Sequence, residues 1–482
     1  MIRNFLRDSL VYGAATIISQ GLAFFLVPLY TRVLPPGDYG ALDMLLIFGN
    51  FANLTVALEV SQGLARHYSD ASTKEAKQNY ASTAFWFTLG MFTLFTVASL
   101  FFAGSINNVL LGKKNLLLVF RLGLIFIFLN GLFYLIQNQF RWELRSREYA
   151  VVSILYSLTT ICGAVILAYW MQLGIKGVLL GQILGAAFGT VTGLWLLRKT
   201  FCFQFDVIKL KEMLKFSIPL VPSSISMFVN LYIDRILLKY FKGLYEVGIY
   251  GVGYRVASVV MFVTIIVQGS LTPLVYAHYK ESETPDNLAR IFRWFIAIAL
   301  LLSLGVGLFA KEVLWVLTTP AYYEASSIVI ILAPSILLWR MSIFVPGISI
   351  SKKTYWEVVI SVCAALLNFT LTYTLIPLLG ILGAALAILI SSFTYFLMYL
   401  IISQHFYHVP HVWRPLVVGS LIACLIGGLG SLVTISLITD IAIKTSLLLS
   451  FIFIVIALGL IQLNEITRAF SMVKVWFTET AK

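Results

Sequence analysis

Apolar runs recur from one end of the chain to the other, separated by short polar turns. About 20 apolar residues at ~1.5 Å per residue cover the roughly 30 Å hydrocarbon core of a bilayer, so each run is a candidate membrane-crossing helix. Fourteen spans are predicted, near residues 9–34, 40–66, 80–103, 116–140, 148–172, 176–198, 214–241, 245–274, 290–312, 325–350, 354–376, 380–402, 414–438 and 443–463. Turn segments such as Pro35-Pro36-Gly37-Asp38, Lys242-Gly243-Leu244 and Pro377-Leu378-Leu379 join neighbours as antiparallel hairpins. A β-barrel would show shorter, alternating segments. The expected fold class is an all-α polytopic membrane protein with 14 transmembrane helices.

Composition agrees with that pattern. The 482 residues are 60% hydrophobic and only 11% charged, with a mean hydropathy of +0.93, against about 25% charged residues in soluble domains. The first stretch, Ser9 to Leu34, is too long for a signal-peptide core and has no small-residue cleavage site after it. The net charge of +13 would suggest a nucleic-acid partner in a soluble protein; here membrane topology explains it. With the N-terminus inside, 22 of the 34 Lys and Arg fall on one side, including Lys74, Arg145, Lys209, Arg290 and Lys352. Eight fall on the other, including Lys113, Lys114, Lys242 and Lys444. The excess places both termini in the cytoplasm. Of the four cysteines, Cys162, Cys363 and Cys424 lie in spans and Cys202 in a basic loop, with neither disulfide nor metal-ligand spacing.

The chain also repeats itself. Ser9, Asp38 and Gly40 return as Ser217, Glu246 and Gly248, each 208 residues on, and Trp86-Phe87 returns as Trp294-Phe295 at the same offset. Leu173-Gly174-Ile175-Lys176-Gly177 returns as Leu379-Gly380-Ile381-Leu382-Gly383, 206 residues on. Spans 1–6 and 7–12 therefore read as two pseudo-symmetric six-helix lobes in the same orientation, with a C-terminal helix pair added. The implied domains are an N-lobe over 1–200, a cytoplasmic linker over 201–213, a C-lobe over 214–405, and a final pair with a cytoplasmic amphipathic tail over 406–482. The linker alternates Phe201, Phe203 and Phe205 with polar residues ahead of Lys209, Lys211 and Lys215, and the tail places Phe470, Val473, Trp476 and Phe477 on one helical face. Both are expected to rest on anionic lipid headgroups.

Neither a phosphate-binding Gly-rich loop nor a metalloprotease or paired-Cys motif occurs, so no cofactor and no metal site is expected. His405, His408 and His411 are spaced three apart, but Pro410 interrupts any helix through them and they read as a solvated loop. The longest outer loop, near 104–115, is too short for a catalytic domain. The remaining signal is the ionisable residues inside spans, which mark packing pairs or a polar path. Counted from the outer turn at ~1.5 Å per residue, Asp234 lies roughly 10 Å deep and Arg255 roughly 15 Å deep, within pairing reach across adjacent helices. Arg235 points about 100° away from Asp234 and is free to face a cavity. Arg340 and Glu59 lie deeper; Arg121 and Asp43 sit near span ends and read as packing or snorkelling groups. Surplus guanidinium charge suits a phosphate-bearing substrate. Asn53, Gln62, Asn230, Asn368 and Gln20 either hydrogen-bond sugar hydroxyls or link helices. The candidate substrate residues are thus Arg235, Arg255, Arg340, Asp234, Glu59 and Asn230.

With its doubled six-span unit, Asp234-Arg235 late in span 7, Val247-Gly248-Ile249-Tyr250 after the turn, Tyr254-Arg255, Asp38-Tyr39-Gly40 and the Leu173–Gly177 motif, the chain resembles the polysaccharide transporter branch of the multidrug/oligosaccharidyl-lipid/polysaccharide (MOP) superfamily. The resemblance implies a flippase, not an enzyme. It would move an undecaprenyl-pyrophosphate-linked oligosaccharide across the bacterial inner membrane for O-antigen, capsule or exopolysaccharide assembly. It further implies alternating access coupled to H+ or Na+, with membrane lipids and a polysaccharide polymerase or assembly proteins as partners. Arg235, Arg255 and Arg340 would engage the diphosphate, and Asp234 would hold Arg255 or take a proton. The alternatives are a peptidoglycan lipid-precursor flippase, a multidrug antiporter, which needs an acidic cavity, and a membrane glycosyltransferase.

Overall fold

A computed structural model describes residues 24–432 and 437–461, together with 13, 18, 21 and 22. The described residues form helices and connecting turns, with no strand among them. Twelve helices are long and apolar enough to cross a membrane, and a bent helix pair raises the number to 13. These correspond to the second through fourteenth predicted spans; of the first, a shorter apolar helix, α1 (Phe24–Val33), is described. The tail residues Phe470, Val473, Trp476 and Phe477 lie outside the described residues.

Two compact units are built from discontinuous stretches of chain. The first comprises residues to Val252 with Leu317–Tyr322 and Ala365–Ala384. Its helices are α2 (Pro36–Thr55), α3 (Val60–Asp70), α4 (Lys74–Phe101), α5 (Ala103–Leu110), α6 (Leu117–Trp142), α7 (Ser146–Ala164), α8 (Gly174–Leu196), α9 (Val207–Ser217) and α10 (Val221–Lys242). To these it adds the first part of α11 (Leu244–Ala257), the second half of α17 (Tyr355–Leu379) and the start of α18 (Ile381–Phe406). Gly243, at φ 92°, makes the predicted turn between α10 and α11, a conformation that favours glycine.

The core of this unit is aromatic and aliphatic, with Phe92, Phe126, Ile127 and Leu135 packed together. The linker does not lie wholly on a lipid surface. Phe201 packs on Phe85 (4.9 Å between ring centroids) and the Trp86 indole donates to the Cys202 carbonyl at 3.0 Å. Phe203 and Phe205 remain exposed. The Asp206 carboxylate then caps α9, accepting from the Ile208 and Lys209 amides at 2.8 and 3.2 Å. A 3-10 turn at Ile218–Leu220 carries α9 into α10, so the helix that holds the apolar span predicted from residue 214 starts earlier, at Val207.

The second unit comprises Gly253–Val316, Tyr323–Ala364 and the residues from Ala385 onward. Its helices are α12 (Met261–His278), α13 (Thr284–Leu308), α14 (Ala310–Leu317), α15 (Ser326–Arg340), the one-turn α16 (Gly347–Ile350), α19 (Trp413–Leu432) and α20 (Leu437–Ala457), with the remaining parts of α11, α17 and α18. α13 packs on α15, α19 and α20. Pro334 lies inside α15, and Pro346 separates a 3-10 turn at Met341–Phe344 from α16.

Candidate functional site

α2 and α10 pack against each other in the first unit, and their charged residues meet there. Asp234 and Arg235 are neighbours on α10 and so leave the helix about 100° apart. Asp234 is fully buried and its Oδ1 accepts from the Arg235 amide at 2.8 Å; the Tyr250 hydroxyl on α11 faces the same carboxylate. Arg235 is 5% exposed, with Nε 3.4 Å from Asp43 Oδ2 on α2. Its guanidinium lies over the rings of Tyr232 and Tyr250, 5.7 Å from each centroid, within cation–π reach. The sequence placed Arg235 toward an open cavity; the structure closes it in with a carboxylate and two aromatic rings. Asp43 is buried, as a packing residue should be, and its long-range partner is Arg235.

Glu59 and Asn230 lie elsewhere in the same unit. Glu59 sits in the break between α2 and α3 and accepts from the Ser224 hydroxyl of α10 at 2.6 Å. Asn230 donates through Nδ2 to the Ser226 carbonyl at 3.0 Å, while its own carbonyl lies 3.5 Å from Asn368 Nδ2 on α17. The amide that links the two helices is therefore that of Asn368, while the Asn230 side chain bonds back along its own helix. Arg121 is exposed on α6.

Arg255 and Arg340 belong to the second unit. Arg255 is half-buried, and its carbonyl accepts from the Ser258 hydroxyl at 2.7 Å. Arg340 ends α15 with its side chain exposed, and makes no ion pair or hydrogen bond among the described residues. Next to it Trp339 stacks on Tyr395, 4.1 Å between centroids. Tyr399 and Ser349 both donate to Glu357 Oε1, at 3.1 and 3.0 Å. Two further ionic groups missed by the sequence are in this unit: Lys444 of α20 is buried and paired with Glu312 of α14. The sequence counted Lys444 at the outer end of a span drawn from residue 443; the helix starts at Leu437, which places Lys444 about two turns inside it. The isolated acid Glu312 at the outer end of the preceding helices is the signal that pointed to a partner.

The histidine trio is divided. His405 and His408 are exposed, but His411 is buried against Phe292 (4.5 Å) and Trp413 (5.2 Å), which corrects the solvated-loop reading. Burial, with the nearby His408 charge, pushes its imidazole down from 6.5 to about 4. Among the described residues no group of three or more His, Cys, Asp or Glu side chains could hold a metal ion.

The fold has relatives among membrane transporters. The lipid II flippase MurJ in an inward closed conformation matches with a TM-score of 0.70 and 15% identity, covering 93% of this chain and 99% of that one. An inward-facing multidrug resistance MATE family transporter of the MOP superfamily matches with a TM-score of 0.65 and 17% identity, covering 82% and 97%. A mutant of the Vibrio cholerae MATE transporter VcmN matches with a TM-score of 0.58 and 16% identity, covering 84% and 96%. A comparison with curated protein sequences gave no match. The chain thus shares its fold with these transporters, and its apolar helices make it a multi-pass membrane protein. Residues 5–280, more than half the chain, match the polysaccharide biosynthesis protein family, and the chain belongs to it.

Proposed function

We propose that this protein is a flippase that carries an undecaprenyl-pyrophosphate-linked oligosaccharide from the inner to the outer leaflet of the bacterial inner membrane, for O-antigen, capsule or exopolysaccharide assembly. The family match over residues 5–280 carries the reading. A polysaccharide biosynthesis protein made of apolar spans end to end is suited to moving a lipid-linked sugar, and the likeness in fold to a lipid II flippase supports the same class of movement. A polar head cannot cross hydrocarbon unaided, because its lost hydrogen bonds cost several kcal/mol each. Both termini face the cytoplasm, on the strength of the Lys and Arg asymmetry.

Arg340 is the leading contact for the diphosphate: it is a partner-free guanidinium within the span Pro320–Ile350, and forked donors suit phosphate oxygens. Arg255 assists it. In the first unit Arg235, held by Asp43, together with Asp234, Asn230 and Glu59, sets the polarity of that unit's own interior. Transport proceeds by alternating access driven by an ion gradient, with a polysaccharide polymerase or other assembly proteins receiving the product. The test is reconstitution in proteoliposomes loaded with a short-chain lipid-pyrophosphate oligosaccharide, with the sugar exposed on the far side read by an enzyme. Sugar appears at a rate proportional to protein, and Arg340→Ala cuts the rate at least tenfold while Arg340→Lys retains a part of it. A chain that folds but moves no sugar-bearing lipid sinks the proposal.

A further inference from the structure

Within the second unit, Tyr395, Tyr399 and Ser403 follow one another four residues apart and so stand in a row along one face of α18. Each meets the stretch that runs from the end of α15 to the first turn of α17. Ser403 pins the middle of that stretch: it accepts from the Gly347 amide at 2.7 Å and donates to the Val345 carbonyl. Tyr395 carries Trp339, the rings 4.1 Å apart and inclined by only 18°, and faces the Ser342 hydroxyl. The Tyr399 ring lies 5.9 Å from that of Tyr395, and its hydroxyl shares Glu357 Oε1 with Ser349. Three polar groups at the rim of this row are left over. Glu357 Oε2, the Trp339 indole N–H and the Arg340 guanidinium make no hydrogen bond or ion pair among the described residues. None of the three is sealed inside the protein. Trp339 and Glu357 are half-buried and Arg340 is exposed, while Tyr395 and Tyr399 beneath them are buried.

We propose that this row is the subsite for the first sugar of the translocated lipid, a hexopyranose whose phosphate lies on Arg340; the assignment rests on the proposed flippase function. The three leftover groups select that chemistry together. Arg340 calls for an anion, and its forked donors suit phosphate oxygens. Glu357 turns a second anion away and calls for a donor, because a carboxylate only accepts. A cation that suited Glu357 would be repelled by Arg340. A neutral polyol joined to a phosphate satisfies both. Two ring spacings and one hydrogen bond separate Trp339 from Glu357, the reach of a glycosyl phosphate and not of a small ion. The indole selects a ring: its N–H donates to a sugar oxygen, and its apolar body covers the C–H face of a pyranose. Phospholipid headgroups share the polyol and the phosphate but lack that face, so Trp339 separates the two sources. Glu357 Oε1, held by two donors, fixes where Oε2 stands. A fixed acceptor of this kind distinguishes sugars that differ at one hydroxyl.

The experiment measures binding of farnesyl pyrophosphate, and of farnesyl pyrophosphate carrying glucose, galactose, N-acetylglucosamine or N-acetylgalactosamine, to the purified full chain in detergent. At least one sugar-bearing probe binds about tenfold tighter than farnesyl pyrophosphate itself, the scale of one hydrogen bond to a charged group. Glu357→Gln, which keeps an oxygen for Tyr399 and Ser349, and Trp339→Leu each bring that ratio near one while farnesyl pyrophosphate binds as before. Arg340→Ala weakens every probe alike. The ratio is taken within each variant, so a purely structural loss lowers both affinities and leaves it unchanged. If Trp339→Leu does not fold, Glu357→Gln decides, with Trp339→Phe, which keeps an aromatic ring on Tyr395. A ratio near one for the whole set in the unaltered chain overturns the proposal, and so does a preference that survives the variants. Displacement of the sugar-bearing probes by phosphatidylglycerol assigns the row to bilayer headgroups and overturns it as well. A sugar preference lost in both variants, in a chain that flips no lipid, would leave the subsite standing and remove the flippase reading. Flipping by a chain with no such preference would do the reverse.

Discussion

Asp43 and Arg235 show what a single residue's neighbours decide and what the sequence can carry. The helical angle between positions 234 and 235 was legible, because it is a property of the α-helix itself. That Arg235 meets a carboxylate 192 positions earlier was not, because only packing brings α2 to α10. A buried pair is expensive to break from one side, by about 3–5 kcal/mol, yet close to neutral when both charges go. Asp43→Asn alone should therefore lower the unfolding midpoint clearly, and Asp43→Asn with Arg235→Met should recover most of the loss. A double variant as unstable as the sum of the singles would show that the two do not act as a pair. His411 gives a second test at this scale. It is neutral in the folded chain, so the unfolded chain binds more protons between pH 6.5 and about 4. Stability is full above pH 6.5 and falls as the pH drops through that window; His411→Phe should flatten the unfolding midpoint between pH 7 and 5.

Among the helices, the repeat read from the sequence has a physical use. Gly40 and Gly248 stand 208 residues apart, as do Pro36 and Leu244. A methyl group on Gly40 would lie 1.9 Å from the Leu244 carbonyl oxygen, and one on Gly248 would lie 1.9 Å from the Pro36 carbonyl oxygen. The two contacts are copies of one another, a local two-fold relation between α2 and α11 in which backbone meets backbone. Only glycine permits that approach. Gly40→Ala and Gly248→Ala are each expected to destabilise by more than ordinary surface changes and by similar amounts, read as a loss of monodisperse protein on gel filtration after extraction. Tolerance of alanine at both positions would refute the close crossing. The break at Leu58 and Glu59 was, by contrast, illegible: span 2 ran unbroken from 40 to 66 because neither residue is a helix breaker. Its cause is tertiary, the hold of Ser224 on Glu59, and local propensity yields to it.

Over the whole chain, hydropathy gave nearly every span, since a bilayer demands length and apolarity of each crossing and both are written locally. Sidedness is also local in origin but collective in effect, and it can be checked directly. α4 runs 28 residues from Lys74 to Phe101, about 42 Å at 1.5 Å per residue. That is longer than the hydrocarbon core, so Lys74, exposed at its start, and Lys113, exposed beyond its far end, must lie on opposite faces of the membrane. The asymmetry of basic residues decides which face is which. In a background with Cys162, Cys202, Cys363 and Cys424 replaced by serine, Lys113→Cys is expected to react with a membrane-impermeant maleimide applied outside the inner membrane. Lys74→Cys should react only after the membrane is opened. The reverse pattern would invert the protein and with it the direction of entry for any substrate assembled in the cytoplasm. Labelling of both from one side would contradict α4 as a crossing helix, the geometric element common to the sequence reading and the structure.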